Sequence, residues 1–229
     1  RMHQVGVIAP SISSQSVGQI TAGIAEELDT RNYLMLLGNT ELDEQRELGY
    51  LAAMQHNHVA GIILMGSYYS PQLAQAFQTC RVPLVVTGQH FPEVPCVYND
   101  DRSAARELAQ RMLARGRKKL VYIGGTERDQ AAGLARRLGV QDALQAAGQP
   151  AESLPRLCCN AFTMEEGERC MVELLACCPE LDGVVCVTDT VALGAMRALR
   201  AARRRVGQDV SLAGIGDSWM GSVIEPGLT

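Results

Sequence analysis

The chain has 229 residues, 47% of them hydrophobic, and a formal net charge of -4. That length suits one large domain or two small ones with packed cores, and the acidic balance excludes a module that grips nucleic acid through its own basic face. No run of about 18 apolar residues occurs, which excludes a membrane-spanning helix, and no positively charged region followed by an apolar one opens the chain as a signal peptide would.

The first run, VGVIAP at residues 5–10, is continuous and β-branched, the pattern of a strand covered on both faces in a parallel sheet. A Ser-rich loop at 11–16 follows, and Val17, Ile20, Ile24 and Leu28 then recur at helical spacing with Ser16 as the predicted N-cap. YLMLLGN at 33–39 is the next strand. Thr40 with Asp43 reads as a capping box for a helix carrying Leu48, Leu51 and Ala52. GIILMG at 61–66 is the third strand, Ser70 and Pro71 form an N-cap and first-turn pair for a short helix, and PLVVTG at 83–88 is the fourth strand. Three strand-helix units closed by a strand make right-handed crossovers and a doubly wound sheet.

Residues 82–102 then bridge to a second half, which begins with CVYN at 96–99, and the same alternation restarts. A helix over 101–115 stops at Gly116, KLVYIGG at 119–125 is a strand, and a single helix is expected over 130–147. PRLCCN at 155–160 is a further strand, Thr163 with Glu166 forms a capping box, and VVCVT at 184–188, a helix over 191–203 and SLAGIG at 211–216 complete the pattern. The eight cysteines sit mostly inside apolar runs, including the adjacent pairs Cys158-Cys159 and Cys177-Cys178, and are read as buried free thiols in a reducing cytoplasm.

Ligands of doubly wound sheets bind beyond the carboxyl ends of the strands. The residues there are Ser11 to Ser16, Asn39, Ser67 with Tyr68, Gln89, Asn99 with Asp100, Thr126, Asn160, Thr188 with Asp189, and Asp217 with Ser218. Mixed hydroxyls, amides and carboxylates suit a neutral polyhydroxyl ligand. Helix capping explains the same residue types, so both readings stand at this point.

Several longer stretches carry a resemblance to a family. VGVIAPSISS, YLMLLGNTELDEQRELGYLAAMQHNHVAGIILMGS, PLVVTGQ, NDDRSAARELAQRMLARGRKKLVYIGG, RRLGVQDAL, TDTVALGAMRAL and DVSLAGIGDS with EPGLT occur in order and at matching spacing. Together they resemble the effector-binding core of the lactose- and galactose-repressor (LacI/GalR) family of bacterial transcription regulators, and VVTGQ with PCVYNDD is most similar to repressors of sucrose and similar disaccharide operons.

The resemblance implies an α/β fold of two doubly wound parallel-sheet subdomains of the type I periplasmic-binding-protein kind, with a cleft between them. The expected boundaries are residues 1–99, residues 100–222, and 223–229 as the start of a crossover back to the first subdomain. It also implies a homodimer that binds a sugar or purine effector, sucrose-like by the VVTGQ and PCVYNDD resemblance, and reports occupancy to a DNA-binding segment. The family's helix-turn-helix is not in these 229 residues, so operator DNA is expected to be reached only through an N-terminal domain beyond them. Relatives also continue past Thr229.

Carried over by motif, Arg136 in RRLGV matches the arginine that forks onto effector oxygens, and Phe162 in NAFTMEEG matches the aromatic that stacks on the ligand ring. Asp189 in TDT and Asp217 in GDS match acidic or polar positions over the ligand. Ser14, Ser16, Ser67, Gln89 and Asn99 complete the candidate set from the loops. On residue type alone, Arg136 reads first as a solvated helix charge beside Arg137, whereas for Phe162 the site reading outweighs ordinary core because the chain has only three phenylalanines.

Among other chemistries, no phosphate-binding glycine motif and no G-x-S-x-G nucleophile turn occurs, and His56 and His58 lack partners at zinc-site spacing. The expectation is therefore no cofactor, no metal and no enzyme. Residues 10–16 contain no basic side chain, which favours an uncharged sugar, although Arg128 is available to a phosphate. A periplasmic sugar-binding receptor of a transport system is the alternative with the same lobes.

Overall fold

Among residues 3–228, which the computed structural model describes, nine short runs pair as parallel strands in two sheets. The chain divides into two compact units, Arg1–Asn99 and Asp100–Thr229.

In the first unit the order along the chain is β1 (His3–Ala9), α1 (Gln15–Thr30), β2 (Tyr33–Asn39), α2 (Glu44–His56), β3 (Gly61–Met65), α3 (Pro71–Thr79), β4 (Leu84–Thr87) and β5 (Cys96–Val97). The sheet order is β2-β1-β3-β4-β5. Because β1 is internal, both of its faces are covered: Ile8 packs with Leu51, Met54, Leu73 and Phe77 from α2 and α3. Val7 and Ala9 pack toward Val17 and Ile24 of α1. That double burial is what the uninterrupted apolar run requires. The similar run of β2 lies at the sheet edge instead, and Leu34, Leu36 and Leu37 remain exposed.

Two caps differ from expectation. Ser14, not Ser16, precedes the first turn of α1, and its hydroxyl makes no capping hydrogen bond. Asp43 is itself the cap of α2, accepting from the Arg46 N–H at 2.9 Å, rather than the third residue of a box opened by Thr40. Ser70 and Pro71 start α3 as predicted. The CV of CVYN pairs with β4 and so completes the first sheet.

The second unit runs α4 (Asp101–Ala114), β6 (Leu120–Gly124), α5 (Arg136–Ala146), β7 (Arg156–Cys158), α6 (Met164–Cys177), β8 (Gly183–Cys186), α7 (Asp189–Ala201), β9 (Ser211–Ala213) and α8 (Trp219–Val223), with sheet order β7-β6-β8-β9. Val121, Ile123, Val184 and Cys186 face α6 and α7, while Leu120, Tyr122 and Val185 face α4 and α5. The α6–α7 contact is backbone-close: a Cβ on Gly194 would stand 1.9 Å from the Met164 carbonyl oxygen, and one on Gly167 would stand 2.2 Å from that of Val191. Ile224 and Leu228 also pack on this core.

The helix expected over 130–147 is two pieces. Gln130–Ala135 is a wide π-helical turn, capped by Asp129 accepting from the Ala132 N–H, and α5 proper starts at Arg136. The widened turn lies where Gly133 presses onto the Thr126 carbonyl, too close for any Cβ. Such turns are frequent at functional sites.

Glu47 is the buried acid of the first unit among the described residues. It is 4% exposed on α2, and burial, with the neighbouring Glu44 carboxylate adding to it, pushes its carboxyl up to about 7. The folded state therefore holds a proton that the unfolded state has released, so stability falls as pH rises from about 4.5 to about 7 and stays low above it. The penalty corresponds to roughly 3 kcal/mol. Glu47→Gln should stabilise the protein by up to about that amount at pH 8 and by little at pH 4.5, as urea denaturation at the two values would measure.

Candidate ligand-binding site

In each sheet the strand order reverses once, between β1 and β3 in the first unit and between β6 and β8 in the second. Loops leaving the carboxyl ends on either side of a reversal turn to opposite faces, which opens a crevice between them.

In the first unit, the loop after β1 is tied to the end of β2 by the Ile12 N–H donating to Asn39 Oδ1 at 3.2 Å. Ser14 and Ser16 share a hydrogen bond, Oγ to Oγ 3.1 Å. Across the reversal, Ser67 is buried after β3, and buried Gln89 after β4 lies over Gly66 so closely that a Cβ there would meet it at 3.0 Å. Asn99 is exposed at the end of the unit. Gln15, which the sequence did not single out, begins α1 with its Nε2 buried and, among the described residues, without a hydrogen-bond partner.

The second unit gathers the other four predicted residues along one edge. Arg136 is not a solvated helix charge. Its side chain is 15% exposed, its Nε and Nη2 each stand 2.6 Å from Oδ1 of Asp101, itself 7% exposed, and its Nη1 donates to the Val187 carbonyl at 2.5 Å. The guanidinium thus spans the reversal, anchored at the start of α5 and touching the end of β8. Three of its five N–H groups are engaged this way, which leaves two for a ligand.

Phe162 is half exposed after β7, one side of its ring packed on Gly125 at the end of β6. Thr163 caps α6 by accepting from the Glu166 N–H, but the Glu166 carboxylate turns to the Asn160 N–H and to Arg169 instead of closing the box. Thr188 caps α7. Asp189 is buried and accepts from the Ser218 N–H at 2.7 Å, so its carboxylate fastens the loop after β9. Asp189 and Asp217 line one cavity of about 270 Å3 with Gly214, Ser218, Ser222 and Leu228. Ser218 Oγ is buried there without a partner among the described residues.

Two features lie off this edge. A larger cavity of about 580 Å3 is walled by Leu120, Leu144, Leu154, Pro179 and Leu181 at the amino end of β6, the wrong end of the strands, and contains none of the predicted residues. Cys159, Cys170 and Glu166 stand within 4.8 Å of one another. Desolvation raises both thiols further above the ordinary cysteine value, and Arg169 already occupies the carboxylate, so this donor set suits packing better than a cation. The cysteine pairs are not wholly buried: Cys158 and Cys177 are exposed.

The sequence profile of the family described as periplasmic binding proteins and sugar binding domain of LacI family matches residues 2–217. The chain belongs to this family. It is 32% identical over 216 residues to the HTH-type transcriptional regulator CelR of Thermobifida fusca, covering 92% of this chain and 62% of that protein. It is 26% identical to the sucrose operon repressor of Staphylococcus xylosus, over all of this chain and 70% of the repressor. The solved CelR–cellobiose complex matches with a TM-score of 0.84 at 28% identity, covering 98% of this chain and 71% of that one. The chain thus spans about two thirds of the length of these regulators, and its two units are type I periplasmic-binding-protein-like subdomains of the LacI-family kind.

The Asp189 contact predicts a local effect. Asp189→Ala should cost about 1–2 kcal/mol and release the Ser218 amide to fast hydrogen exchange, whereas Asp189→Asn, which keeps an acceptor oxygen, should do less of both.

Proposed function

We propose that this chain is the effector-binding and dimerisation core of a cytoplasmic LacI-type transcription regulator, that its effector is an uncharged, sucrose-like disaccharide, and that it is not an enzyme. The observation that carries the reading is Arg136, buried at the strand reversal with two N–H groups left over, in a family whose relative CelR was solved with cellobiose.

In this reading, the spare N–H groups of Arg136 bind sugar oxygens in fixed geometry, which a lysine could not reproduce. The free side of the Phe162 ring covers the sugar's C–H face. Asp189, Asp217 and the Ser218 hydroxyl complete the second unit's share. Ser14, Ser16, Ser67, Gln89 and Asn99, with the unpaired Gln15 amide, form the first unit's share. Sugar binding favours one conformer of the regulator, and that shift changes how a helix-turn-helix segment of the whole protein meets operator DNA. The acidic charge of the chain supports contact with DNA through that other segment. The exposed Leu34, Leu36 and Leu37 on edge strand β2 support a homodimer, since an apolar edge left open invites pairing.

The absence of any helix long and apolar enough to cross a membrane among the described residues is compatible with this reading. The names of the matched relatives, regulators rather than transport receptors, favour it over the periplasmic alternative.

A thermal-shift panel of neutral disaccharides, their 6-phosphates and purines tests the assignment. A neutral disaccharide at about 100 times its Kd should add about 2.7 kcal/mol, a rise of several degrees in Tm. Arg136→Ala should weaken that binding by about 2 kcal/mol, roughly thirtyfold. A response confined to phosphates or purines would overturn the effector class, and an unaltered Kd in Arg136→Ala would remove the arginine from the site.

A further inference from the structure

The ion pair beneath the candidate site has a consequence for what the site accepts. A guanidinium at the end of a crevice is ordinarily an invitation to carboxylate or phosphate. Here Asp101 stands against it at 2.6 Å, and both side chains are largely removed from water, so the unit charge of Arg136 is cancelled within the protein before a ligand arrives. The neighbouring charges point the same way. Arg137 is matched by Glu127 at 2.8 Å, while Asp189 and Asp217 add carboxylates across the same edge without a cation paired to either in the described contacts. Asp100 is occupied separately, as the N-cap of α4 accepting from the Ser103 N–H. Asp101 is therefore surplus to the helix start.

We propose that Asp101 is a specificity-determining residue: it holds Arg136 as a neutralised hydrogen-bond donor, so the site takes uncharged polyhydroxyl ligands and rejects aldonates and sugar phosphates of the same size. The inference rests on the proposed sugar site. It goes beyond that reading in assigning selectivity to a side chain that need not touch the ligand. An anionic group entering the crevice would meet a guanidinium whose attraction is already offset and two carboxylates that repel it. A hydroxyl meets the same two spare N–H groups without that repulsion.

The test is calorimetric titration of the wild-type protein and Asp101→Asn with cellobiose, gluconate and glucose 6-phosphate. Asparagine keeps the size and an acceptor oxygen but removes the charge. The expected result is that the wild-type protein prefers cellobiose and that Asp101→Asn shifts the ratio of neutral to anionic Kd toward the anions by about tenfold or more. A folded Asp101→Asn with the wild-type ratio would overturn the proposal and leave the sugar site standing. A wild-type protein that prefers either anion would overturn it as well. A wild-type protein that binds none of the three, and nothing in the sugar panel, removes the sugar site itself and the proposal with it.

Because the loss of a buried counter-ion can unfold a protein, a second measurement uses the wild-type chain alone. Any affinity for gluconate or glucose 6-phosphate should not fall between low salt and about 0.5 M, since a site without net positive charge has no attraction for an anion that salt could screen. An affinity for gluconate or glucose 6-phosphate that is strong at low salt and falls steeply with salt would show an uncancelled positive charge and would overturn the proposal without any variant.

Discussion

A parallel strand cannot turn back on its neighbour. The chain must leave at the carboxyl end, return through a helix across one face, and re-enter at the amino end. Everything in this protein follows from applying that constraint twice. All of the strand exits of one sheet lie on one edge, and the order β2-β1-β3 in the first unit and β7-β6-β8 in the second each contain one reversal where the exits part. Polar residues that the chain places after its apolar runs are therefore neighbours in space, however far apart they are in sequence. Arg136 and Val187 are 51 positions apart and in hydrogen-bond contact.

The same constraint dictates where charge can be buried. Among the described residues the internal strands present no carboxylate, lysine or arginine to the helices that cover them, and the buried acids enter the interior at first turns of helices, where unpaired backbone groups are available. Asp101 and Asp189 both occupy first helical positions, and each turns away from its own helix, one to Arg136 and the other to the Ser218 amide. Each is paired, as a buried charge must be if it is not to give up its ionisation. Glu47, in the first turn of α2, has another acid for its neighbour, and burial pushes its carboxyl up to about 7.

Membership of the LacI-type sugar-binding family accounts for the pair of sheets and for a polar crevice edge, yet a family allows many effectors. Local electrostatics around shared positions is one physical means by which proteins of one fold can differ in the ligand they take. In this chain the arginine that the family motif marks is offset by an acid immediately after a helix cap, in the sequence Asp100-Asp101. Discrimination between ligands of similar size is a difference of interaction energies, and a fixed charge at the site changes that difference more than an added apolar contact does.

The strand-helix alternation, eight of the nine strands and several helix starts were legible in the amino-acid order, because burial on both faces demands unbroken apolar runs and helix termini demand specific caps; Ser70-Pro71 and Thr163 are instances, whereas the short β5 of CVYN was not read as a strand of the first sheet. Three further things were not legible. Which of two serines begins α1, and the division of 130–146 into a π turn and a helix, depend on contacts such as Gly133 against Thr126 that no local pattern encodes. The partner of Arg136 was hidden because two adjacent aspartates both look like caps, and only packing decides which one turns inward. Gln15 and Ser218 lay in the polar stretches after strands with nothing to single them out, and only burial left Gln15 Nε2 and Ser218 Oγ without a partner among the described residues. Sequence alone determined which residues could lie at a strand end, since periodicity and capping act within a few positions along the chain. Tertiary structure decided which of them meet and with what charge, since ion pairs, close approaches and unpaired donors are set by distances across the fold.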